Sequence, residues 1–292
     1  MTTSPRPARP QIVLSVVRTE WLTPRMVRVI AGGPGFADLV GNAFTDKYTK
    51  IVFARPELGL TPPYDLAALR ETLPPEDWPV MRTYTIRWID EDTRQLAIDF
   101  VVHGTEGIAG PWAASAVEGD PLVLGGAGGA YSPSTDTDWH VLAGDESALP
   151  AIASALAAMS PDARGVAHIE VEDDTDVQLL QVPEGVLVNW ILRGHDRSTV
   201  ALAEAVDASL GGGPVGGGSL ADGSLDGASL PADATVQVFA HGERESMKAI
   251  RAVLARRGVT RDRFSLSGYW AYGRTEDRFQ AEKREPIGQI EA

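Results

Sequence analysis

The pattern of apolar residues changes once along the chain, and this change constrains the fold more than any other feature of the sequence. Before about residue 125, β-branched and partly alternating segments are separated by Gly, Pro, Asp and Asn. They span residues 11–18, 25–31, 48–54, 82–90, 94–102 and 121–124. Such segments are typical of strands with one face inward. Because a barrel removes the unpaired edges of such strands, we expect an N-terminal six-stranded antiparallel, Greek-key-like β-barrel.

From residue 139 onward, short apolar runs alternate with helical segments. The runs span residues 139–143, 166–171, 186–192, 236–240 and 264–266, and the helices span 147–159, 200–210 and 244–257. This alternation predicts a C-terminal α/β domain, a doubly wound parallel sheet that binds nucleotides at the carboxyl ends of its strands.

The chain of 292 residues is long enough for two domains. Residues 125–138 are small, polar and turn-rich, so the domain boundary is expected there. We predict a disordered tail over 1–10, a β-barrel domain over 11–130, a linker over 131–138 and an α/β domain over 139–292. The Gly-rich residues 211–229 are predicted to form a flexible surface loop, with a lid over a site as the alternative.

Composition excludes several classes of function. The chain contains no Cys, which rules out disulfides, thiolate zinc sites, Cys-ligated iron–sulfur clusters and thiol catalysis. A redox role would therefore need an organic cofactor. The five His residues show no metal-ligand spacing, so we expect no bound catalytic metal.

Charge and hydropathy bear on partners and location. With 26 Lys and Arg against 40 Asp and Glu, the net charge of −14 argues against nucleic acid and anionic lipid as partners. The sequence shows no signal peptide and no apolar segment of membrane-spanning length. We expect a cytoplasmic protein without membrane insertion and favour a monomer.

The most informative segment is Arg82-Thr83-Tyr84-Thr85, at the start of the fourth predicted strand. On a strand, Arg82 and Tyr84 point to one face, and the two Thr residues point to the other. A glycine-rich turn over residues 107–112 follows the next strand and leads into a short helical stretch over 112–117. Its backbone N–H groups could hold a phosphate, with the Arg as countercharge. From the residues alone, a purely structural Arg–Tyr contact remains the alternative.

Several motifs together resemble one protein family. RTYTIR, DFVVHG, GIAGPWA and EGD resemble the flavin-binding half of the siderophore-interacting proteins, which are FAD-dependent ferric-siderophore reductases of the ferredoxin-reductase-like superfamily. DKYTKIVF, AGDESALPAI, HGERESMKAIRAVL and SGYWAYGRTED resemble further parts of that family. The matches run in the family's order from about residue 10 to residue 284.

This resemblance implies an FAD site in the barrel. Arg82 would pair with the FAD diphosphate, Tyr84 would pack against the flavin or its ribityl chain, and Thr85 would donate its hydroxyl towards flavin N5. Further flavin contacts, largely through backbone groups, are implied for Thr83, Asp99, Phe100, Val101, Val102 and His103. The phosphate turn would consist of Gly107, Ala109, Gly110 and Trp112.

Two of these residues would bear on catalysis. Thr85 is the first, through flavin N5. The second is His103, whose ring would either relay protons to reduced flavin or only pack beside the cofactor. The chain departs from the family at Gly110, where a hydroxyl residue is frequent, and at Ala271, where a Lys or Arg is common.

The same resemblance implies a nicotinamide-nucleotide site, for NADH or NADPH, in the second domain. Its two turns would comprise Gly144, Asp145, Glu146 and Ser147 after the first strand, and His241, Gly242 and Glu243 after a later one. The acids of the first turn could instead cap the helix that follows. Trp270 would cover part of the flavin or its adenine, or would be a core aromatic.

The implied substrate is an anionic ferric siderophore. At physiological ionic strength the Debye length is about 8 Å, so local cations outweigh the distant acids of the chain. Lys50, Lys47 and Arg274 would form the local basic site, with a solubilising surface role as the alternative for Lys47.

The sequence thus predicts a reductase that passes electrons from NAD(P)H through FAD to Fe(III), releasing Fe(II) for cellular iron use. One alternative is a general flavin reductase, or one fed by a ferredoxin partner. Another is a siderophore-binding flavoprotein without catalysis.

Overall fold

The computed structural model describes residues 10–39, 41–105, 107–193, 199–211, 230 and 234–290. The chain divides into two compact units. The first comprises Met1–Trp21, Met26–Ala43 and Lys47–Gly129, and the second comprises Leu22–Arg25, Phe44–Asp46 and Ala130–Ala292. Apart from residues 10 and 211, the predicted tail and the predicted Gly-rich loop lie outside the described residues.

Strands of the first unit close into an antiparallel barrel. They are β1 (Ile12–Thr23), β2 (Met26–Gly32), β3 (Tyr48–Phe53), β4 (Val80–Asp90), β5 (Gln95–Val101) and β6 (Pro121–Gly128). Their order around the barrel is β1-β2-β5-β4-β3-β6, which confirms the predicted six-stranded, Greek-key-like barrel. Helix α1 (Leu66–Thr72) lies between β3 and β4. Helix α2 (Ala109–Ser115) follows β5 and packs Ala109 and Ala113 against the barrel core.

The glycine-rich end of β6 extends the strand predicted over residues 121–124. Residues 125–128 belong to this strand, and Ala127 and Gly128 pair with Thr49 and Tyr48 of β3. The Tyr48 ring lies over Gly128, where a Cβ would come within 2.5 Å of it. Gly126 has φ 91°, at a bulge opposite Lys50.

Five parallel strands form the sheet of the second unit. They are β7 (Trp139–Gly144), β8 (Gly165–Val171), β9 (Val186–Leu192), β10 (Val236–Glu243) and β11 (Phe264–Trp270), in the order β11-β10-β7-β8-β9. The described helices of this unit are α3 (Leu149–Ala158), α4 (Ala201–Leu210), α5 (Arg244–Arg256) and α6 (Glu276–Glu282). This architecture confirms the doubly wound prediction. Strand order reverses at β7, so the carboxyl ends of β7 and β10 mark the switch point where such sheets bind ligands.

Candidate functional site

Strand β4 presents the Arg82–Thr85 motif with alternating faces. Ile86 lies in the barrel core and Tyr84 packs against that core, so alternation puts Arg82 on the same face. Thr83 and Thr85 point outward. Thr85 is only 6% exposed, whereas Thr83 is exposed.

An aromatic cluster joins this strand to β5 and α2. The Tyr84 and Phe100 ring centroids are 4.4 Å apart, and Trp112 of α2 lies 5.7 Å from Phe100 and 5.4 Å from Phe53. Three motifs separated in sequence therefore adjoin in the barrel. Next to Tyr84 in the β3–β4 register, the buried Thr49 hydroxyl has no hydrogen-bond partner, so a polar group is left for a ligand to satisfy.

The turn between β5 and α2 leaves its backbone open. Gly104 and Gly107 have φ values of 58° and 80°, which favour Gly, and a Cβ at either position would meet nothing within 4 Å. No side chain caps α2 at Ile108. At Gly110, a Cβ would lie 3.0 Å from the Val101 carbonyl oxygen, so close packing of α2 on β5 explains why the hydroxyl residue of the family is absent here. His103 is exposed just beyond β5.

Other predicted flavin residues differ in exposure. Asp99 is 4% exposed and its side chain is bound by Arg28, so only its backbone is available to a ligand. Phe100 is fully buried, whereas Val101 and Val102 are half-buried. Ala109 lies in the core and Trp112 packs against it, which leaves the turn's backbone for ligand contact.

Two predicted substrate lysines lie on β3 or just before it. Lys50 is exposed, pairs with Thr83 in the strand register and sits at the bulge formed with Gly125 and Gly126. Tyr48, on the same face, pairs with Thr85. Lys47 is half-buried, and its carbonyl oxygen accepts a hydrogen bond of 2.8 Å from the Ile86 N–H.

The barrel residues fit a cofactor with a diphosphate and a planar ring system. Arg82 supplies positive charge and the open glycine turn supplies N–H donors. The aromatic cluster includes Tyr84 of the same strand as Arg82 and Trp112 of the helix that follows the turn. FAD has both parts, and the unpaired Thr49 hydroxyl supports a polar ligand at this place.

In the second unit, Asp145 ties together the loops at the switch point. Its Oδ1 accepts hydrogen bonds from the Ser147 N–H and hydroxyl. Its Oδ2 accepts from the Glu243 N–H and the Trp270 indole N–H, both at 2.8 Å. Gly242, with φ 149°, leaves room for this carboxylate, because a Cβ there would lie 2.7 Å from Oδ2.

Glu243 caps the N-terminus of α5 with its own side chain. Its Oε2 accepts from the N–H groups of Glu245 and Ser246, and its Oε1 accepts from the Tyr272 N–H. Within the predicted nucleotide turns, the Ser147 and Glu243 N–H groups are therefore bonded to Asp145, and Glu243 occupies two N–H groups at the start of α5. For Asp145, this is a local structural role of the kind that the sequence left open, whereas the capping by Glu243 was not anticipated.

Glu146 belongs to a buried charge cluster at the same edge of the sheet. Arg193 donates to Glu146 at 2.6 Å, to Glu170 at 2.7 Å and to Glu172 at 3.1 Å. Burial raises the pKa of Glu146 to about 7, although Arg193 opposes the shift. Its second oxygen, Oε1, has no hydrogen-bond partner, so this edge also holds an unsatisfied polar atom.

The ring of His241 is held by contacts within the sheet. Its ring bonds Tyr269 at 2.8 Å and Ser265 at 3.0 Å and packs on Phe239, with ring centroids 4.0 Å apart. Burial lowers the pKa of His241 to about 3, so the ring is neutral. Sequence reasoning had no signal for the two hydrogen bonds, because Tyr269 and Ser265 lie on the neighbouring strand β11, 28 and 24 positions away.

Arg274 lies in a cluster around Glu282. Arg244, Arg274 and Arg278 contact this carboxylate at 2.7, 2.8 and 2.8 Å, and the Arg244 hydrogen bond lowers the pKa of Glu282 to about 2. Three guanidinium groups thus share one carboxylate, with Glu245 also pairing with Arg244. Ala271 is buried, so its position does not present a side chain to solvent.

Within the described residues, no helix has the length and apolar character that crossing a bilayer requires. Among the same residues, no group of three or more His, Asp and Glu side chains is arranged to hold a metal ion.

Comparison with known proteins relates both units to the same family. Residues 15–131 match the siderophore-interacting FAD-binding domain, and residues 137–273 match the siderophore-interacting protein model. An uncharacterized protein of Mycobacterium tuberculosis is 43% identical over 95% of this chain and 96% of its own. The ferric vibriobactin reductase ViuB of Vibrio cholerae is 31% identical over 93% of both chains. The NADPH-dependent ferric-chelate reductase of Escherichia coli is 30% identical over 68% of this chain and 74% of its own.

A solved structure supports the same relationship. The siderophore-interacting protein SipS of Aeromonas hydrophila aligns with a TM-score of 0.73 and 27% identity, covering 97% of this chain and all of that one. The two family models together span most of the chain. The Mycobacterium and Vibrio relatives are more than 30% identical to it along nearly its whole length. The chain belongs to the siderophore-interacting protein family, has the ferredoxin-reductase-like fold, and binds FAD as its cofactor.

Proposed function

We propose that this protein is a cytoplasmic FAD-dependent reductase of ferric siderophores, with NADH or NADPH as electron donor. The observation that carries the proposal is the junction of β4, β5 and α2 in the FAD-binding barrel. There, Arg82 and the open turn at Gly107 accompany the aromatic cluster of Tyr84, Phe100 and Trp112. The names of the Vibrio cholerae and Escherichia coli relatives support ferric reduction.

When bound, FAD accepts a hydride from a nicotinamide and returns two electrons singly to two Fe(III) ions, with release of one proton. Arg82 and the N–H groups of the turn that includes Gly107 and Gly110 hold the diphosphate by charge and hydrogen bonds. Tyr84 packs against the ring system or its ribityl chain. The barrel and α2 thereby orient the cofactor before the donor arrives.

Thr85 and His103 are the proposed catalytic groups. The Thr85 hydroxyl, on the outward face of β4, is proposed to hydrogen-bond flavin N5. Because Thr85 is buried, water has little access to the flavin N5 atom that its hydroxyl would contact. The exposed His103 contributes its backbone to the pyrimidine edge, and its ring is the candidate for exchanging a proton with solvent.

The proposed substrate is an anionic ferric siderophore, attracted by local positive charge. Lys50 is the leading residue, because it is exposed and adjoins the Thr83 and Thr85 face. Arg274 is the candidate in the second unit, where it belongs to the cluster of three guanidinium groups that contact Glu282. Reduction frees the metal, because Fe(II) is held less tightly than Fe(III) by hard oxygen ligands.

One observation favours a second candidate, a reductase that receives electrons from a ferredoxin. At the turns after β7 and β10, Asp145 and Glu243 already bond the N–H groups of Ser147, Glu243, Glu245 and Ser246. A nucleotide diphosphate would compete with these carboxylates, whereas a protein donor would not need the same turns. The nicotinamide donor nevertheless ranks first, because the second unit has the doubly wound fold that binds nucleotides and one relative is named an NADPH-dependent reductase.

The test is an anaerobic two-step experiment on the flavin-loaded protein. Bleaching of the flavin bands by NADH, NADPH or reduced ferredoxin identifies the donor. Re-oxidation by a ferric siderophore should yield two Fe(II) per flavin, captured by a ferrous chelator. The matched control is the gallium(III) complex of the same siderophore, which has the same charge but accepts no electron. Bleaching without re-oxidation by the ferric complex would contradict the proposed function.

A further inference from the structure

An exposed aromatic ring lies on the outer face of β3, two positions before Lys50. Tyr48 and Lys50 are both exposed, whereas Thr49 between them is buried, so the two side chains share the outward face of the strand. Residues at this spacing on a strand are about 7 Å apart. The ring and the ammonium group can therefore contact the same bound molecule.

The neighbouring strand β6 holds the Tyr48 ring in place. Gly128 pairs with Tyr48, and the ring lies so close over it that a Cβ there would come within 2.5 Å of the ring carbon Cζ. The phenol end of the ring therefore packs on bare backbone, and the side chain is still 40% exposed. A ring that is already held offers a flat apolar surface at little cost in conformational entropy on binding.

The strands on either side leave space around Tyr48 and Lys50. On β4, Thr85 pairs with Tyr48, and Thr83 pairs with Lys50. On β6, the bulge opposite Lys50 consists of residues 125–126, both glycine. Short side chains on one strand and none on the other form a shallow recess on the outer barrel surface, bordered by the ring and the ammonium group.

The Lys50 ammonium group is available to an anion. Among the residues that the structure describes, none forms an ion pair or a hydrogen bond with this group. A free cation and an aromatic ring on one surface are complementary to a ligand that carries both negative charge and aromatic rings.

Ferric siderophores differ in these two properties. Three catecholates carry six negative charges against the three positive charges of Fe(III), so their complex is anionic, and its outer surface consists of aromatic rings. Three hydroxamates carry only three negative charges, so their complex is neutral, and its chelating groups are not aromatic. Citrate complexes of Fe(III) are anionic but contain no ring. The recess around Tyr48 and Lys50 matches the first of these classes in both properties.

We propose that Tyr48 and Lys50 form the subsite for the chelate and select a ferric catecholate over a ferric hydroxamate, with Tyr48 stacking on a catecholate ring and Lys50 pairing with the negative charge. This inference rests on the proposed function, in which the Thr85 hydroxyl contacts the flavin. Thr85 lies opposite Tyr48, and the Cβ atoms of such cross-strand pairs are about 5 Å apart. The subsite therefore holds the chelate beside the flavin.

The test is equilibrium dialysis of the flavin-loaded protein against gallium(III) complexes, which accept no electron. The probes are a hexadentate tris-catecholate, a hexadentate tris-hydroxamate and citrate. The parent should bind the catecholate complex at least tenfold more tightly than the hydroxamate complex. Tyr48→Leu should weaken binding of the catecholate complex about fivefold and leave citrate binding unchanged, whereas Tyr48→Phe, which keeps the ring, should stay within about twofold of the parent. Lys50→Met should weaken binding of both anionic complexes.

The matched control is Trp21→Leu, which removes another exposed aromatic ring from the same unit and should leave all three affinities unchanged. Equal affinity of the parent for the catecholate and hydroxamate complexes, or equal effects of Tyr48→Leu and Trp21→Leu, would overturn the inference. So would an equal loss of FAD affinity in Tyr48→Leu, because the ring would then serve the cofactor. Failure of ferric complexes of both classes to re-oxidise the reduced flavin would instead overturn the proposed function, and this inference with it.

Discussion

Asp145 and Trp270 are joined by a hydrogen bond of 2.8 Å from the indole Nε1 to the carboxylate Oδ2, although they lie 125 positions apart in the chain. Strand β10 separates β7 from β11, so the bond links two strand ends across a third. The same oxygen accepts the Glu243 N–H, and a single buried carboxylate therefore organises the switch point of the sheet.

Asp145→Asn should lower the free energy of unfolding by about 2–3 kcal/mol, because an amide nitrogen cannot accept from the Glu243 and Trp270 N–H groups and leaves buried donors unsatisfied. Urea denaturation of the apo and FAD-loaded protein measures this change. Ser147→Ala, which removes one hydroxyl donor and keeps the carboxylate, is the control and should cost less than half as much. Equal losses for the two variants would show that the link across β10 contributes little.

Arg82→Ala should weaken FAD binding about tenfold to a hundredfold, since a charged contact to a phosphate contributes about 1.5–3 kcal/mol. Titration of the flavin-free variant with FAD, followed by flavin fluorescence, measures the Kd. The control is Arg55→Ala, an exposed arginine of the same unit. If the two variants retain FAD equally well, the diphosphate contact does not belong to Arg82.

Lys50→Met should raise KM for an anionic ferric siderophore about tenfold, the equivalent of ~1.4 kcal/mol, while flavin reduction by the donor stays unchanged. Stopped-flow measurement of the two half-reactions separates these effects. Lys248→Met serves as control, because its ammonium group is bonded to Glu245 and to the Ile287 carbonyl oxygen. A similar loss in both half-reactions would remove Lys50 from the substrate site.

The stability of the second unit should fall in mild acid because of two buried histidines. Burial lowers the pKa of His168 to about 4 and that of His241 to about 3. Both pKa values lie below the ordinary value of 6.5, so the neutral rings stabilise the fold above pH 6.5, and this contribution is lost as pH falls towards 4. The loss is on the order of 2–3 kcal/mol for each ring, because one pKa unit corresponds to about 1.4 kcal/mol.

Urea midpoints at pH 7.5, 6.0 and 4.5 test this dependence. His168→Gln should flatten it, whereas replacing the exposed His103 by Gln should not. The carboxylates of Asp173 and Glu282, whose pKa values are lowered to about 2 by Arg25 and Arg244, lose their contribution only below about pH 4. A midpoint that stays constant from pH 7.5 to 4.5 would contradict the assignment of neutral buried rings.

The sequence predicted the parts of this molecule that depend on local periodicity. Alternation over residues 82–90 marked a strand and assigned Arg82 and Thr85 to opposite faces, and the helix–strand alternation after residue 139 marked the parallel sheet. The sequence could not show that Asp145 is bonded to Trp270, or that Arg193 joins Glu146 and Glu170, because these long-range contacts leave no repeating pattern in the sequence.

Two features of the barrel were missed for different reasons. Arg87 stands inside the RTYTIR motif, and the sequence around it gave no sign that β4 has a bulge at this residue. The β4 bulge that redirects it depends on pairing with β5, which composition does not reveal. Thr49 gave no signal at all, because its importance lies in a buried hydroxyl without a partner.

The binding of FAD by the barrel is tested most directly by titrating flavin-free protein with FAD under absorbance and fluorescence detection. We expect saturation at one FAD per chain, with the flavin bands shifted and the fluorescence changed by the Tyr84 and Trp112 surroundings. A protein that stays colourless after incubation with excess FAD and gel filtration would contradict the binding of FAD by the barrel.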